Sequence, residues 1–252
     1  MTSSQVICCE RLRNIAWTSR TTKTYLTRYS LLASEPTSLA TLAPVLLLSL
    51  LSVSGLVASD FQDFKGGRFA LKPLAASAFI WLAVLLDAPQ SNYGQWLLFG
   101  LVLCAAGDVL LMFEAEAAFL AGLVAFLCGH LLYAVAFTQL PLNTMAIAIA
   151  CLPALALIVL VLFWLRPYLQ GLMRAAVPAY IIVIAAMLVF AGGTWGNAGS
   201  LLILCGAWGF AFSDLAVARR QFVSADRMNG LWGTPLYFGS QMLLAASVAW
   251  QL

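Results

Sequence analysis

An all-α, polytopic membrane protein, a bundle of eight transmembrane helices, is the fold class that three observations predict. First, 63% of the 252 residues are hydrophobic and only 9% are charged, against about 25% charged in an ordinary soluble domain. Thirteen basic and ten acidic side chains cannot coat a soluble globule of this size. Second, the apolar residues gather into eight runs, each close to the roughly 20 residues an α-helix needs to cross a bilayer. Third, basic residues collect on alternate connections. This composition excludes a soluble enzyme, a disordered chain and a secreted disulfide scaffold. A net charge of +3 with interspersed acids argues against a nucleic-acid partner.

The runs fall at about 38–58, 69–87, 93–113, 117–137, 143–164, 174–192, 198–218 and 232–252. Turn formers separate them, as in Asp87 to Asn92, Pro141 to Asn143, and Gly192, Gly193 and Thr194. Residues 38–252 therefore form the membrane domain. Residues 1–37 differ in kind, with Arg11, Arg13, Arg20, Lys23 and Arg28 among many Ser and Thr and no long apolar run. They read as a basic, disordered tail without the apolar core of a secretory signal. Of the six cysteines, Cys104, Cys128, Cys151 and Cys205 lie in apolar runs and read as small buried hydrophobes; Cys8 and Cys9 lie in the tail.

Orientation follows from charge. The connections after runs 1, 3, 5 and 7 hold Lys65, Arg68, Arg166, Arg174, Arg219, Arg220 and Arg227; those after runs 2, 4 and 6, and the C-terminus, hold no Lys or Arg. That bias puts the first side in the cytoplasm of a bacterial inner-membrane protein. The basic tail pulls the other way, but the bias recurs in three separate connections and outweighs it.

Ionisable groups inside hydrocarbon are costly, so Asp108, His130 and Asp214 are candidates for function. Lys72 sits near the start of run 2, and Ser77, Tyr133, Tyr180, Ser213, Tyr237 and Gln241 are uncharged companions. At about 1.5 Å per residue, Asp108 lies roughly 8 Å inside the basic-side end of its run and Asp214 a similar distance, roughly 6 Å, inside its own. Lys72, Tyr180, Tyr237 and Gln241 enter from that same side, and His130 is deeper. Phe119, Gly122, Phe126, His130 and Tyr133 follow one helical stripe. The pattern predicts one polar cavity, open toward the cytoplasmic half and floored near His130. Structural roles compete at every position: His130 as an interhelical hydrogen-bond partner, the tyrosines as interface anchors, Lys72 snorkelling to head groups. They compete least well at the two acids. Met112, Met187 and Phe212 read as core filling.

A weak repeat joins the halves. Gly100 and Asp108 are eight apart, as are Gly206 and Asp214, with a small residue before each Asp. Pro73 and Pro178 precede them at similar distances. Two parallel four-helix halves would make the carboxyls pseudo-equivalent.

The sequence resembles the YhhN family of membrane proteins. The resemblance rests on Lys72 and Pro73, Gly107 and Asp108 followed by Leu111 and Met112, then Phe119, Gly122, Phe126, His130 and Tyr133. In the second half it rests on Pro178, Tyr180 and Met187, then Gly206 and Ala207, Phe212 to Asp214, and finally Tyr237 and Gln241. It covers about residues 65–245. The family includes lysoplasmalogenases, so the resemblance implies hydrolysis of the vinyl-ether bond of a lysoplasmalogen to a fatty aldehyde and glycerophosphoethanolamine or glycerophosphocholine. It also implies Asp108, Asp214 and His130 as catalytic residues and Lys72, Tyr133, Tyr180, Ser213, Tyr237 and Gln241 as substrate-binding residues. The expected partners are the bilayer and the lysophospholipid, with no cofactor and no metal.

The chemistry suits these residues. Vinyl ethers resist bases and yield to acid at the β-carbon. The reaction needs one protonated carboxyl and one anion or base to guide water, as in the paired carboxyls of glycosidases. Asp108 and Asp214 fit the two roles in either order, Lys72 suits the phosphate, and the apolar stripes of runs 3, 4 and 6 suit the alkenyl chain. A zinc site on Asp108, His130 and Asp214 is a sparser arrangement, because the chain has a single His. A Ser–His–Asp triad through Ser213 or Ser77 lacks a nucleophile elbow. Outside enzymes, a proton-coupled transporter or lipid-binding protein uses similar intramembrane groups, although the runs lack paired Gly/Pro breaks. A purely structural membrane protein is the third class.

Overall fold

The apolar runs become helices because in hydrocarbon every backbone N–H and C=O must be satisfied within its own segment. The computed structural model describes residues 39–251. Residues 43–252 form one compact unit; residues 39–42, outside that unit, are the first turn of the first helix. Among the described residues there are eight α-helices and no strand: α1 Leu39–Phe61, α2 Lys65–Leu85, α3 Asn92–Leu110, α4 Glu116–Thr138, α5 Thr144–Leu165, α6 Met173–Gly193, α7 Ser200–Ala218 and α8 Met228–Ser247. The tail 1–37 and its cysteines lie outside the described residues.

Seven of the eight helices, α1 to α7, are long and apolar enough to cross a membrane. α8 is a helix of 20 residues but is not one of the seven. Its polar side chains explain the difference. Asn229, Ser240, Gln241 and Ser247 are all buried: Ser240 lies against Gly209 of α7, Gln241 meets Tyr133 of α4 and Ser247 meets Tyr93 of α3. α8 also starts four residues earlier than the apolar run suggests, because a helix can begin in polar sequence. Tyr237 and Gln241 therefore lie nine and thirteen residues into the helix, about 14 and 20 Å, deeper than a count from the start of the run at 232 gives.

Local signals set the other ends. Ser91 caps α3 by accepting from the Gly94 N–H at 3.1 Å, and Asn143 caps α5 by accepting from Ala146 at 3.1 Å. The turn from Asp87 is as expected: Asp87 takes a left-handed conformation and Pro89 follows in a short 3₁₀ turn. Gly192 and Gly193, expected in a connection, instead finish α6. They let its backbone press against Ala150 and Ile147 of α5, so the turn comes after them. The prolines within α1, α2, α5, α6 and α8 leave these helices continuous.

The bundle is held by small residues, as expected where lipid removes the hydrophobic drive between helices. The two most extensive helix pairs are α3 with α4 and α7 with α8. They are built alike. Gly100 lies under the Tyr133 ring, where an added Cβ would stand 2.5 Å from it, and Gly206 lies under Leu244, where one would stand 2.7 Å away. These are the glycines eight residues before each Asp, so the sequence repeat coincides with a repeated contact. G100A should lower the thermal midpoint in detergent by the equivalent of about 1–3 kcal/mol. G239A, with nothing within 4 Å of its new methyl, should not; equal midpoints for the two variants would contradict this packing.

Some expected core residues face outward. Cys104 is buried, Cys128 is half-buried, and Cys151 and Cys205 are exposed on the apolar exterior. Met187 is buried but Phe212 is 43% exposed. An apolar residue facing lipid reads the same in sequence as one facing the core.

Candidate active site

Four helices bring the ionisable residues together. Asp108 stands near the end of α3 and is almost wholly buried. Lys72, two turns into α2, places Nζ 3.2 Å from its Oδ1. The Tyr237 hydroxyl of α8 donates to its Oδ2 at 2.7 Å. Asp108 thus has the Lys72 amine on one oxygen and a phenol on the other. Lys72, read from the sequence as a phosphate contact or as snorkelling to the head groups, here pairs with Asp108.

Asp214 stands near the end of α7 with a different set of neighbours. The Tyr180 hydroxyl of α6 donates to its Oδ2 at 2.8 Å, and Nε2 of His130 lies 3.5 Å from the same oxygen. His130 is completely buried. Its Nδ1 lies 2.8 Å from the Phe126 carbonyl, which can only accept, so Nδ1 carries the hydrogen. Nε2 has no hydrogen-bond partner and lies on the Asp214 side of the ring. Where Asp108 has a lysine beside it, Asp214 has an imidazole.

Behind these clusters, the Tyr133 hydroxyl donates to Gln241 Oε1 at 2.6 Å, both side chains fully buried. Ser213 is buried and donates to the Phe210 carbonyl at 2.7 Å. Ser77 is exposed and donates to the Leu74 carbonyl of its own helix. Among the described residues no three His, Cys, Asp or Glu side chains converge as a metal-ligand set.

One cavity of about 650 Å³ is lined by Lys72, Asp108, Tyr180, Ser213, Asp214 and Tyr237. His130, Tyr133 and Gln241 do not line it; they buttress its floor from behind. From the acids the cavity runs along apolar side chains of α4, α5 and α6, including Phe126, Val161 and Ile181, and opens at a rim carrying Asp60, Arg68 and Arg220. The α5 wall is not evident in the sequence, where α5 is uniformly apolar. Phe210 is likewise not singled out by the sequence. It stacks on His130 at 4.2 Å and 21° and meets Tyr237 at 5.5 Å, holding both acid clusters on one aromatic floor. Its signal is its position, four residues before Asp214 on the same helical face.

The YhhN family pattern matches residues 67–248. The chain is 32% identical over 177 residues to lysoplasmalogenase TMEM86B of Homo sapiens, covering 70% of this chain and 72% of that protein. It is 33% identical to TMEM86B of Sus scrofa over 67% of this chain and 70% of the relative. It is 30% identical to lysoplasmalogenase TMEM86A of Bos taurus over 66% and 69%. No solved structure matches. Helices α3 to α8, α2 from residue 67 onward and both acid clusters fall within the matched span, and the chain belongs to the YhhN family of integral membrane proteins.

Proposed function

We propose that this chain hydrolyses the vinyl-ether bond of lysoplasmalogens, releasing a fatty aldehyde and glycerophosphoethanolamine or glycerophosphocholine. The relatives named lysoplasmalogenase support the reaction class. The observation that carries the mechanism is the unequal pairing of the two acids: Lys72 against Asp108, neutral His130 against Asp214. Burying one compensated anion and one neutral acid avoids an unpaired buried charge. Asp214 is then the general acid and Asp108 the anion and base.

The steps balance. The π pair of the vinyl ether takes the Asp214 proton at the β-carbon, leaving an oxocarbenium ion beside the Asp108 carboxylate. Water adds to the α-carbon, which bears the ether oxygen, and gives a proton to Asp108. The resulting hemiacetal returns its hydroxyl proton to Asp214 as the C=O bond forms. The C–O bond to glycerol breaks, and the leaving oxygen takes the proton from Asp108. Tyr180 and Tyr237 hold the two carboxyls, and His130 keeps a proton acceptor beside Asp214. The apolar wall from Phe126 to Ile181 suits the alkenyl chain.

The basic connections further support a bacterial inner-membrane protein whose cavity opens to the cytoplasm. Purified protein in detergent should release aldehyde from lysoplasmalogen and none from the saturated alkyl-ether analogue, which has no π bond to protonate. No release from either, with proton-driven uptake into liposomes, would overturn the reading in favour of a transporter.

A further inference from the structure

The rim of the cavity carries a second charged cluster that the hydrolytic chemistry does not use. Arg68 of α2 and Arg220, just beyond α7, both approach Asp60 at the end of α1: Arg68 Nη1 lies 3.1 Å from Oδ1 and Arg220 Nη1 3.7 Å from Oδ2. All three line the cavity. Arg68 is held further by Asp63 at 2.9 Å. Asp60 and Asp63 together still leave most of the ten guanidinium N–H donors of the two arginines unspent. The other rim acids, Glu114 and Glu116, sit on the connection before α4 and in its first turn, where Lys65 ties Glu114 down at 2.9 Å.

Two independent features aim the arginines at the cavity. Arg68 lies one turn from Lys72 toward the mouth, about 6 Å along α2. A wide π-helical turn, Arg219–Val223, continues α7 and carries Arg220 and Gln221 into the lining; such turns are rare and concentrate at functional sites. The spacing matches a lysolipid. Five bonds of about 1.5 Å separate the ether oxygen from phosphorus, roughly 6 Å in a zigzag chain.

We propose that Arg68 and Arg220 form an anion subsite at the mouth that takes the phosphodiester of the lysolipid head group. This inference rests on the hydrolase reading for the identity of its ligand. Guanidinium forks suit phosphate oxygens, and Lys72, spent on Asp108, does not serve the phosphate.

The test is binding to the full-length chain in detergent, read by intrinsic tryptophan fluorescence, with two uncleavable probes of equal chain length: alkyl-glycerophosphoethanolamine and alkylglycerol. The wild type should bind the phosphorylated probe at least about tenfold tighter. R68Q/R220Q should lose that difference. D63N, which removes an ion pair but keeps both guanidiniums, should retain it. Glycerophosphoethanolamine should compete better than inorganic phosphate. Equal binding of the two probes by the wild type would overturn the proposal, as would equal weakening of both in R68Q/R220Q or loss of the difference in D63N. Equal competition by inorganic phosphate would make this a free-anion site and overturn it too. Turnover of lysoplasmalogen, measured separately, reports on the hydrolase reading and not on this subsite.

Discussion

Asp214→Asn lowers kcat for lysoplasmalogen by about 10²–10⁴-fold, the range that a positioned general acid contributes. Asn has the same shape and keeps an oxygen for the Tyr180 hydroxyl, now 2.8 Å away, so the bundle should fold as before. What it loses is the hydrogen that must reach carbon. The amide cannot give up a proton to a vinyl ether, and neutral His130, with Nδ1 committed to the Phe126 carbonyl, has none to give at Nε2. KM should change little, because the apolar wall and the rim are untouched. A variant with unaltered helicity and near wild-type kcat would remove Asp214 from the acid role.

Lys72→Met has the second-largest effect, and it strikes activity and stability together. It leaves Asp108 nearly buried without its cation. Breaking a buried pair by removing one partner costs about 3–5 kcal/mol; because Lys72 is partly exposed, the lower end applies. The stranded carboxylate takes up a proton instead and no longer serves as base, so kcat should fall about 100-fold. The double variant K72M/D108N separates the two effects. With no charge left to strand, it should recover most of the lost thermal stability and none of the activity. Recovery of activity in the double variant, or no stability loss in K72M alone, would contradict an anionic Asp108 held by Lys72.

Much of this architecture is legible in the sequence because membrane helices announce themselves. Each apolar run has its helix within a few residues, since hydrocarbon forbids any other backbone solution. The start of α8 is less legible because its buried polar face lowers the very signal that marks a span. The two acids stand out for a related reason: a carboxyl in an apolar run has few innocent explanations. Pairings are another matter. Lys72 and Asp108 are 36 positions apart, Tyr237 and Asp108 129 apart, and no periodicity encodes which tyrosine meets which acid. Phe210 is one aromatic among many in apolar helices, and only its place beneath His130 gives it a role. The lipid-facing Phe212, two residues on, shows how little side-chain type alone distinguishes inside from outside.

The difference in charge between the two carboxyls is open to direct observation by infrared spectroscopy of the purified protein near neutral pH. A carbonyl stretch of a protonated carboxylic acid, shifting in heavy water, should be present in the wild type, absent in Asp214→Asn and retained in Asp108→Asn. If the band vanishes in Asp108→Asn and survives in Asp214→Asn, or if the wild type has no such band, then Asp214 does not hold the proton that this mechanism delivers.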